Sequence, residues 1–411
     1  MKPDVRIGVV GATGAVGGVT LSLLAERGFE EVRAFASARS AGSRVGYGER
    51  DLPVEEATPE ALAEGDLGLC FFSVGTATSR ELVPRAVSGG ATVIDKSDAY
   101  RLEKGVPLVV AGVNDDAVGD EDRIVANPNC SALQLTCALM PLHEAAGLAR
   151  VRLATYQSMS GAGDAGIERL SETKPLEADL AMDWSLEGDE GEYSEEYKLR
   201  EETRKILRLP DLPLHATCMR VPVLVGHAQA VWVETELPLS PREARAVLAE
   251  APHVRVADAP TPGAVAGTDE VYVGRIRRDP TAENVLAFLV VNDNLRKGAA
   301  LNAVQIAEAL LARNLPRPSE AVQRRLRTPP EPGEGERGEH ARGGHLVDGP
   351  PRRVMTRREA ADAERDAGGA RHRRGYPRRA AGSDGGEDAR CSEREEEACD
   401  ERLGPEGHFG G

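Results

Sequence analysis

The stretch Gly8-Val9-Val10-Gly11-Ala12-Thr13-Gly14-Ala15-Val16-Gly17 decides the fold of this chain. Arg6 to Val10 is a short apolar run that reads as a buried strand, and Val19 to Glu26 reads as a helix. Strand, glycine-rich turn and helix in that order let backbone approach a pyrophosphate at a helix N-terminus. The spacing of Gly8, Gly11, Gly14 and Gly17 departs from GxGxxG, and a tight strand–helix turn would need glycines in any case. Thr13 supplies a hydroxyl for a phosphate. A dinucleotide site is expected here.

Outward from that stretch, Val32 to Ala36 is the next strand, followed by Ser37-Ala38-Arg39-Ser40-Ala41-Gly42. A site that prefers NAD places an acidic residue near this strand end for the ribose hydroxyls. None stands here. Arg39 with Ser37 and Ser40 offers a cation and hydroxyls for a 2′-phosphate, so NADP is expected over NAD. The plainer reading of Arg39 is an exposed turn arginine. Leu67 to Phe72 is a strand leading into Ser73-Val74-Gly75-Thr76, Ala91 to Asp95 is another, and Pro107 to Val110 is a candidate for one more. Apolar strands alternating with helices imply a parallel sheet with right-handed crossovers. Cys70, inside a strand, reads as core. Arg101 follows a strand's C-terminal end, where open α/β sheets hold ligands, and is a candidate anion clamp. Elsewhere a surface arginine would be the default.

A second stretch carries chemistry. Asn127-Pro128-Asn129-Cys130-Ser131 follows the apolar run Arg123 to Ala126 and precedes a segment of helix composition, Ser131 to Met140. That puts the Cys130 sulfur in a helix's first turn, where unpaired N–H groups and the helix dipole favour thiolate. A nucleophile and a buried packing cysteine are both open on this motif alone. Beyond it, Val151 to Met159 alternates as a half-buried strand does and ends in Ser160-Gly161-Ala162-Gly163. Glu192 to Ile206 is a polar helix, on which Glu195 and Lys198 share a face; an exposed ion pair is the bland account of them. Thr217 to Val223 reads as a strand leading to Gly226-His227, and Ala228 to Glu236 as another. Tight turns between these strands suggest an antiparallel sheet. Asn294 lies just ahead of a helix from Ala299 to Ala312, expected to pack back on the first part of the chain.

At 411 residues the chain is long enough for two or three domains. It opens without a signal-peptide pattern, and no apolar run approaches a membrane span, so a cytoplasmic protein is expected. Six cysteines without a CxxC pair argue against a disulfide framework or a metal site. A formal net charge of −16 argues against nucleic acid as the main partner. From Pro316 onward Arg, Glu, Asp, Gly and Pro dominate without apolar periodicity, which predicts disorder over 318–411. The arginine clusters there suggest a nucleic-acid tail, but interleaved acids favour an inert one.

Taken together, Gly8–Gly17, Ser37–Gly42, Asn127–Ser131, Tyr156–Gly163, Glu201–Leu207, Thr217–His227, Val273–Asp279 and Asp293–Glu308 resemble the aspartate-β-semialdehyde dehydrogenases, over nearly all of residues 4–315. The resemblance implies an α/β protein. It would have a Rossmann-like NADP-binding domain (1–128 and 294–317) and an α+β catalytic and dimerisation domain (129–293) with a mainly antiparallel sheet. It implies that Cys130 is the nucleophile, His227 the general acid/base and Gln157 the residue that orients substrate. Arg220 would clamp the substrate carboxylate, Glu195 its amino group, and Arg101 and Lys198 the phosphate. Asn129 joins these substrate-binding candidates. Thr13, Gly14, Ala15, Val16, Arg39, Ser40, Ser160, Gly161 and Asn294 would contact NADP, with Gly8, Gly11, Ser37, Ser73 and Gly75 completing the cofactor candidates. The expected reaction is reduction of aspartyl phosphate to aspartate semialdehyde with release of phosphate, by a homodimer, in the biosynthesis of aspartate-derived amino acids. A histidine near its ordinary pKa suits proton transfer there. N-acetyl-glutamyl-phosphate reductase, which shares the cysteine–histidine logic, and a non-catalytic nucleotide sensor are the alternatives.

The sequence departs from that family at several points. Asp95-Lys96-Ser97 stands where Asp-Asn-Ser is frequent, and Ala111-Gly112-Val113-Asn114 where Pro-Glu-Val-Asn is. The segment Lys174 to Glu192 is too short for the Pro-Ile-Ala-Phe-Asn-like strand usual between the glutamine and lysine motifs.

Overall fold

Four apolar or small residues, all buried, form β1 (Ile7–Val10), which leads through the glycine turn into α1 (Ala15–Glu26) and then β2 (Val32–Ala36). The computed structural model describes residues 5–313 except 65, 173–178, 180, 181, 183 and 188–190; the tail predicted to be disordered lies outside the described residues. A hairpin follows, β3 (Arg44–Tyr47) and β4 (Arg50–Glu56), then α2 (Pro59–Ala63), β5 (Leu69–Phe72), α3 (Thr76–Ser88), β6 (Thr92–Asp95) and β7 (Ile124–Ala126). These seven strands form one sheet in the order β3-β4-β2-β1-β5-β6-β7. All its pairs are parallel except β3 with β4. The glycine turn works by close approach. Gly11 has φ +85°, and a Cβ there would stand 2.4 Å from the Ser73 carbonyl oxygen; one at Gly17 would stand 2.0 Å from that of Gly11. Any side chain would push α1 off the turn.

The second sheet begins after α4 (Cys130–Ala146), with β8 (Leu148–Tyr156). Then come α5 (Asp164–Glu172), the short pair β9 (Leu186–Glu187) and β10 (Glu192–Tyr193), α6 (Ser194–Leu207), β11 (Leu214–Thr217) and β12 (His227–Thr235). The chain continues through α7 (Pro241–Glu250), β13 (Val254–Ala257), α8 (Pro262–Val265), β14 (Val271–Arg278), β15 (Val285–Asn292) and α9 (Leu301–Ala312). Strand order is β11-β8-β12-β15-β14-β13. The centre is antiparallel, as expected, but both edges, β11 on β8 and β13 on β14, pair in parallel, so the sheet is mixed. One face of β12, including Val231 and Val233, packs with α4, α6 and α7 residues in a single apolar core. On the other face Trp232 and Tyr156 stay more than a third exposed. α9 packs through Leu301, Val304, Leu310 and Leu311 on β1 and α1 residues of the first sheet's core.

Several local readings need correction. Leu108 forms only an isolated bridge with Ala126, so Pro107 to Val110 is not a strand. β11 ends at Thr217, and Arg220 lies beyond it, where its backbone forms an isolated bridge with Gln157. The helix predicted from Ala299 is preceded by a π-helical turn at Arg296–Ala300, entered where Asp293 Oδ1 accepts the Leu295 and Arg296 N–H groups. The β3–β4 hairpin was not legible in the sequence, because its strands alternate weakly and are largely solvent-facing.

Candidate active site

α4 begins at Cys130 because Asn129 caps it: Asn129 Oδ1 accepts from the Ser131 and Ala132 N–H groups at 2.8 and 3.3 Å. The Asn129 Nδ2 then donates to Glu195 Oε1 at 2.9 Å, and the Gln157 amide donates to the same oxygen at 2.9 Å. The side chain of Asn129, which also lines the cleft, is thus engaged by the cap and by Glu195. Cys130, half-buried, opens into a cleft of about 370 Å³ that it shares with Gln157, Glu195, Arg220, Arg101 and Lys198. The fold thus brings together residues that run from Arg101 to Arg220 in the sequence.

The thiol itself departs from the expectation. Burial first, then the Glu195 carboxylate, pushes the Cys130 pKa up to about 12, against the smaller opposing pull of Arg101, Arg220 and the Ser131 N–H. Desolvation and a nearby anion outweigh the helix N-terminus. Glu195→Gln keeps an acceptor oxygen for Asn129 and Gln157 but removes the charge. Iodoacetamide should then alkylate Cys130 faster at fixed pH, by up to about tenfold for each unit the pKa falls. Labelling is read by mass at the Cys130 peptide. An unchanged rate would mean that the Glu195 charge does not act on the sulfur.

His227 is fully buried, and the Ser158 backbone N–H donates to its Nδ1 at 3.0 Å. The ring proton is therefore on Nε2, which has no partner among the described residues. Desolvation, then the Arg220 charge, lowers the His227 pKa to about 3, so the near-ordinary value expected from sequence is wrong. A Cβ at Gly161 would meet His227 Nε2 at 3.0 Å and Arg220 Nη1 at 2.9 Å, so only glycine leaves both groups their places. Arg220 is 5% exposed, donates to the Ser158 carbonyl at 3.2 Å, and lies 4.8 Å from the centre of the Trp184 ring. Trp184 also lines the cleft and was missed by sequence reasoning; its being one of two tryptophans was the only signal.

The cationic side of the cleft is built by residues that follow β6 and by Lys198 on α6. Arg101 donates from Nε to the Asn127 carbonyl at 3.0 Å, from Nη1 to Glu202 at 3.2 Å and from Nη2 to the Lys96 carbonyl at 2.5 Å. Glu202, buried on α6, also accepts from the Asn129 N–H at 2.6 Å and ties the two sheets' residues together. Lys198 pairs with Asp98 at 2.8 Å. Lys96 lines the cleft too, although it was noticed in the sequence only as a departure.

The cofactor candidates fall in two places. Val16, Ser160, Gly161 and Asn294 line the cleft, with Asn294 Nδ2 donating to Ser160 Oγ at 3.0 Å. Gly14 caps α1 without a side-chain bond, leaving the first turn at Thr13, Gly14, Ala15 and Val16 open to an anion, and Gly75 caps α3 likewise. Ser37, Arg39 and Ser40 sit on an exposed or half-buried turn after β2, outside the cleft lining. Gly8 does not contact a ligand site. A Cβ there would meet Leu67 at 2.8 Å and Cys70 Sγ at 2.9 Å, so it is a packing glycine inside β1. A larger depression of about 680 Å³ between α4 and α7, lined by Met140 and Val247 among others, contains none of these residues. Among the described residues no cluster could hold a metal ion, and no helix is long and apolar enough to cross a membrane.

A thiol at a helix start, a neutral imidazole held by backbone, and a dinucleotide-type sheet whose first helix is open to phosphate define a class. It is that of nicotinamide-dependent oxidoreductases that work through a cysteine. Residues 6–121 match the family description "Semialdehyde dehydrogenase, NAD binding domain" and residues 139–297 match "Semialdehyde dehydrogenase, dimerisation domain". The aspartate-semialdehyde dehydrogenase of Streptomyces akiyoshiensis is 44% identical over 342 residues, covering 75% of this chain and 98% of that protein. The crystal structure of aspartate semialdehyde dehydrogenase II from Vibrio cholerae complexed with ASA is similar at TM-score 0.71 and 36% identity, covering 75% of this chain and 98% of that one. The Candida albicans enzyme with NADP is similar at TM-score 0.62 and 26% identity, covering 76% and 99%. The chain belongs to the aspartate-semialdehyde dehydrogenase family.

Proposed function

We propose that this chain reduces L-aspartyl 4-phosphate to L-aspartate 4-semialdehyde with NADPH, in the cytoplasm, through a thioester on Cys130. The observation that carries the reading is one cleft holding the thiol, a planar guanidinium at Arg220 and a carboxylate at Glu195. Those charges match the α-carboxylate and α-ammonium of an aspartyl group. Docking such a zwitterion offsets the Glu195 charge that helps hold the thiol high and the Arg220 charge that helps hold His227 low. Substrate thus lowers the thiol pKa, and the Cys130 proton leaves with the departing phosphate, while His227, already protonated at Nε2, serves as a donor. The sulfur then attacks the acyl carbon, the C–S bond forms, and the carbon–oxygen bond to phosphate breaks beside Arg101 and Lys198. The bound cofactor supplies hydride to the thioester carbon. The His227 Nε2–H group stabilises the developing oxyanion, and the C–S bond breaks to release the semialdehyde.

The open first turn of α1, with Gly11 and Gly17 drawn close, fits a dinucleotide pyrophosphate. Arg39 has no ion-pair partner among the described residues and supports NADP, with Ser37 and Ser40 beside it. Arg39→Asp should lower kcat/KM for NADPH by about ten- to hundredfold, mainly through KM, and raise preference for NADH. An unchanged NADPH/NADH ratio would return Arg39 to an ordinary turn residue. We further propose residues 1–128 with 294–317 as the cofactor domain and 129–293 as the catalytic one. A homodimer would form on the outer face of the second sheet, where Trp232 and Tyr156 are exposed. Activity on aspartyl phosphate but not on N-acetyl-glutamyl phosphate tests the substrate; the blocked amine of the latter has no use for Glu195.

A further inference from the structure

The cations of the cleft are not equivalent. The Arg101 guanidinium is committed to Glu202 and two backbone carbonyls, and Lys198 is paired with Asp98. Lys96, half-buried at the end of β6, has a single described partner for its ammonium, the neutral Ser73 Oγ at 3.2 Å. The acid next to it in sequence, Asp95, is engaged elsewhere, its two oxygens accepting from Ser79 Oγ at 2.7 Å and Ser97 Oγ at 2.6 Å. A half-buried ammonium without a carboxylate partner is costly, and such a group is retained most economically where an anion docks. Its direction is informative. Ser73 follows β5 and touches the glycine turn, since a Cβ at Gly11 would stand 2.4 Å from the Ser73 carbonyl oxygen. Lys96 therefore reaches from the substrate side of the cleft, next to Arg101, back toward the dinucleotide turn.

We infer that Lys96 is a phosphate-binding residue of this cleft, its ammonium and the Ser73 hydroxyl together donating to phosphate oxygens between the ends of β5 and β6. The asparagine frequent at this position in the resembling family could donate a hydrogen bond but carries no charge. Burial, with the Arg101 charge behind it, lowers the Lys96 pKa to about 7, and a phosphate would reverse both penalties. The phosphate has two sources, the pyrophosphate of the cofactor and the phosphate leaving the substrate, and the direction toward Ser73 favours the first. The inference rests on the cofactor reading given above.

The test uses the full chain and the variants Lys96→Met and Lys96→Arg, with two constants for each. One is Kd for NADP by direct titration; the other is KM for inorganic phosphate in the oxidative direction, at saturating NADP and aspartate semialdehyde. We expect Lys96→Met to weaken NADP binding by about tenfold or more, leave the phosphate KM within about twofold, and be largely rescued in Lys96→Arg. A raised phosphate KM with unchanged NADP affinity would assign the same ammonium to the leaving phosphate. Both constants at wild-type values in Lys96→Met would overturn the inference. So would equal losses in both variants with a lowered melting temperature, which is what a purely structural lysine gives. Failure of the wild type itself to bind dinucleotide would sink the cofactor reading, and this inference with it.

Discussion

Cys130→Ser should lower kcat by at least about four orders of magnitude while leaving NADP affinity within a few-fold. Serine fits the place: Asn129 caps α4 through backbone N–H groups of Ser131 and Ala132, and the Cys130 side chain takes no part in the cap. The fold and the dinucleotide turn should be untouched. The loss is chemical. The surroundings already push a thiol up to about 12 by burial and by Glu195. A hydroxyl starts several units higher, so the substrate's ammonium cannot bring it to a useful fraction of anion. A hydroxyl is also a poorer leaving group from the tetrahedral adduct. Steady-state turnover with NADPH consumption, and a separate NADP titration, make the check. Turnover above about one hundredth of wild type would show that the sulfur is not the nucleophile.

Arg220→Lys should lower kcat/KM by about two to three orders of magnitude, mostly through a higher KM for the aspartyl substrate. The change keeps the charge and removes the planar fork. A lysine cannot present two parallel N–H groups to a carboxylate, and it would lose the face-on contact with Trp184 at 4.8 Å and the bond to the Ser158 carbonyl. The position is 5% exposed, so no water replaces what is lost. Truncating one partner of a buried charge-assisted pair costs roughly 2–5 kcal/mol, and the predicted loss falls inside that range. The reacting carbon is not touched by Arg220, so kcat at saturation should fall far less than kcat/KM. A substrate KM within about threefold of wild type would remove Arg220 from the substrate site.

Much of this molecule was legible because its signals are local. Ile7 to Glu26 carries strand, turn and helix within twenty residues, and the steric need for glycine at positions 11 and 17 follows from backbone geometry that any βα turn shares. Asn129-Cys130 marks a helix start by capping chemistry, which a few adjacent residues decide. The antiparallel centre of the second sheet was expected from the tight turns between the strand-like runs Thr217–Val223 and Ala228–Glu236. Its parallel edges were not, because β11 and β13 are four-residue strands whose direction is set by the helices that deliver them. Trp184 was invisible for a similar reason: its place over Arg220 depends on chain that has no periodicity of its own.

The tertiary structure alone decided the electrostatics. Helix-start position predicts a lowered thiol pKa, and a lone histidine predicts a value near its ordinary one. Folding brings Glu195, from a helix sixty-five positions later, beside Cys130, and encloses His227 behind Gly161 with Arg220 at hand. Desolvation and like or unlike charges then outweigh the local dipole, because charges act over several ångströms in space and take no account of distance along the chain. The sequence by itself determined which residues could do chemistry; the packing determined their resting protonation, and left Lys96 as a cation without an acid partner among the described residues.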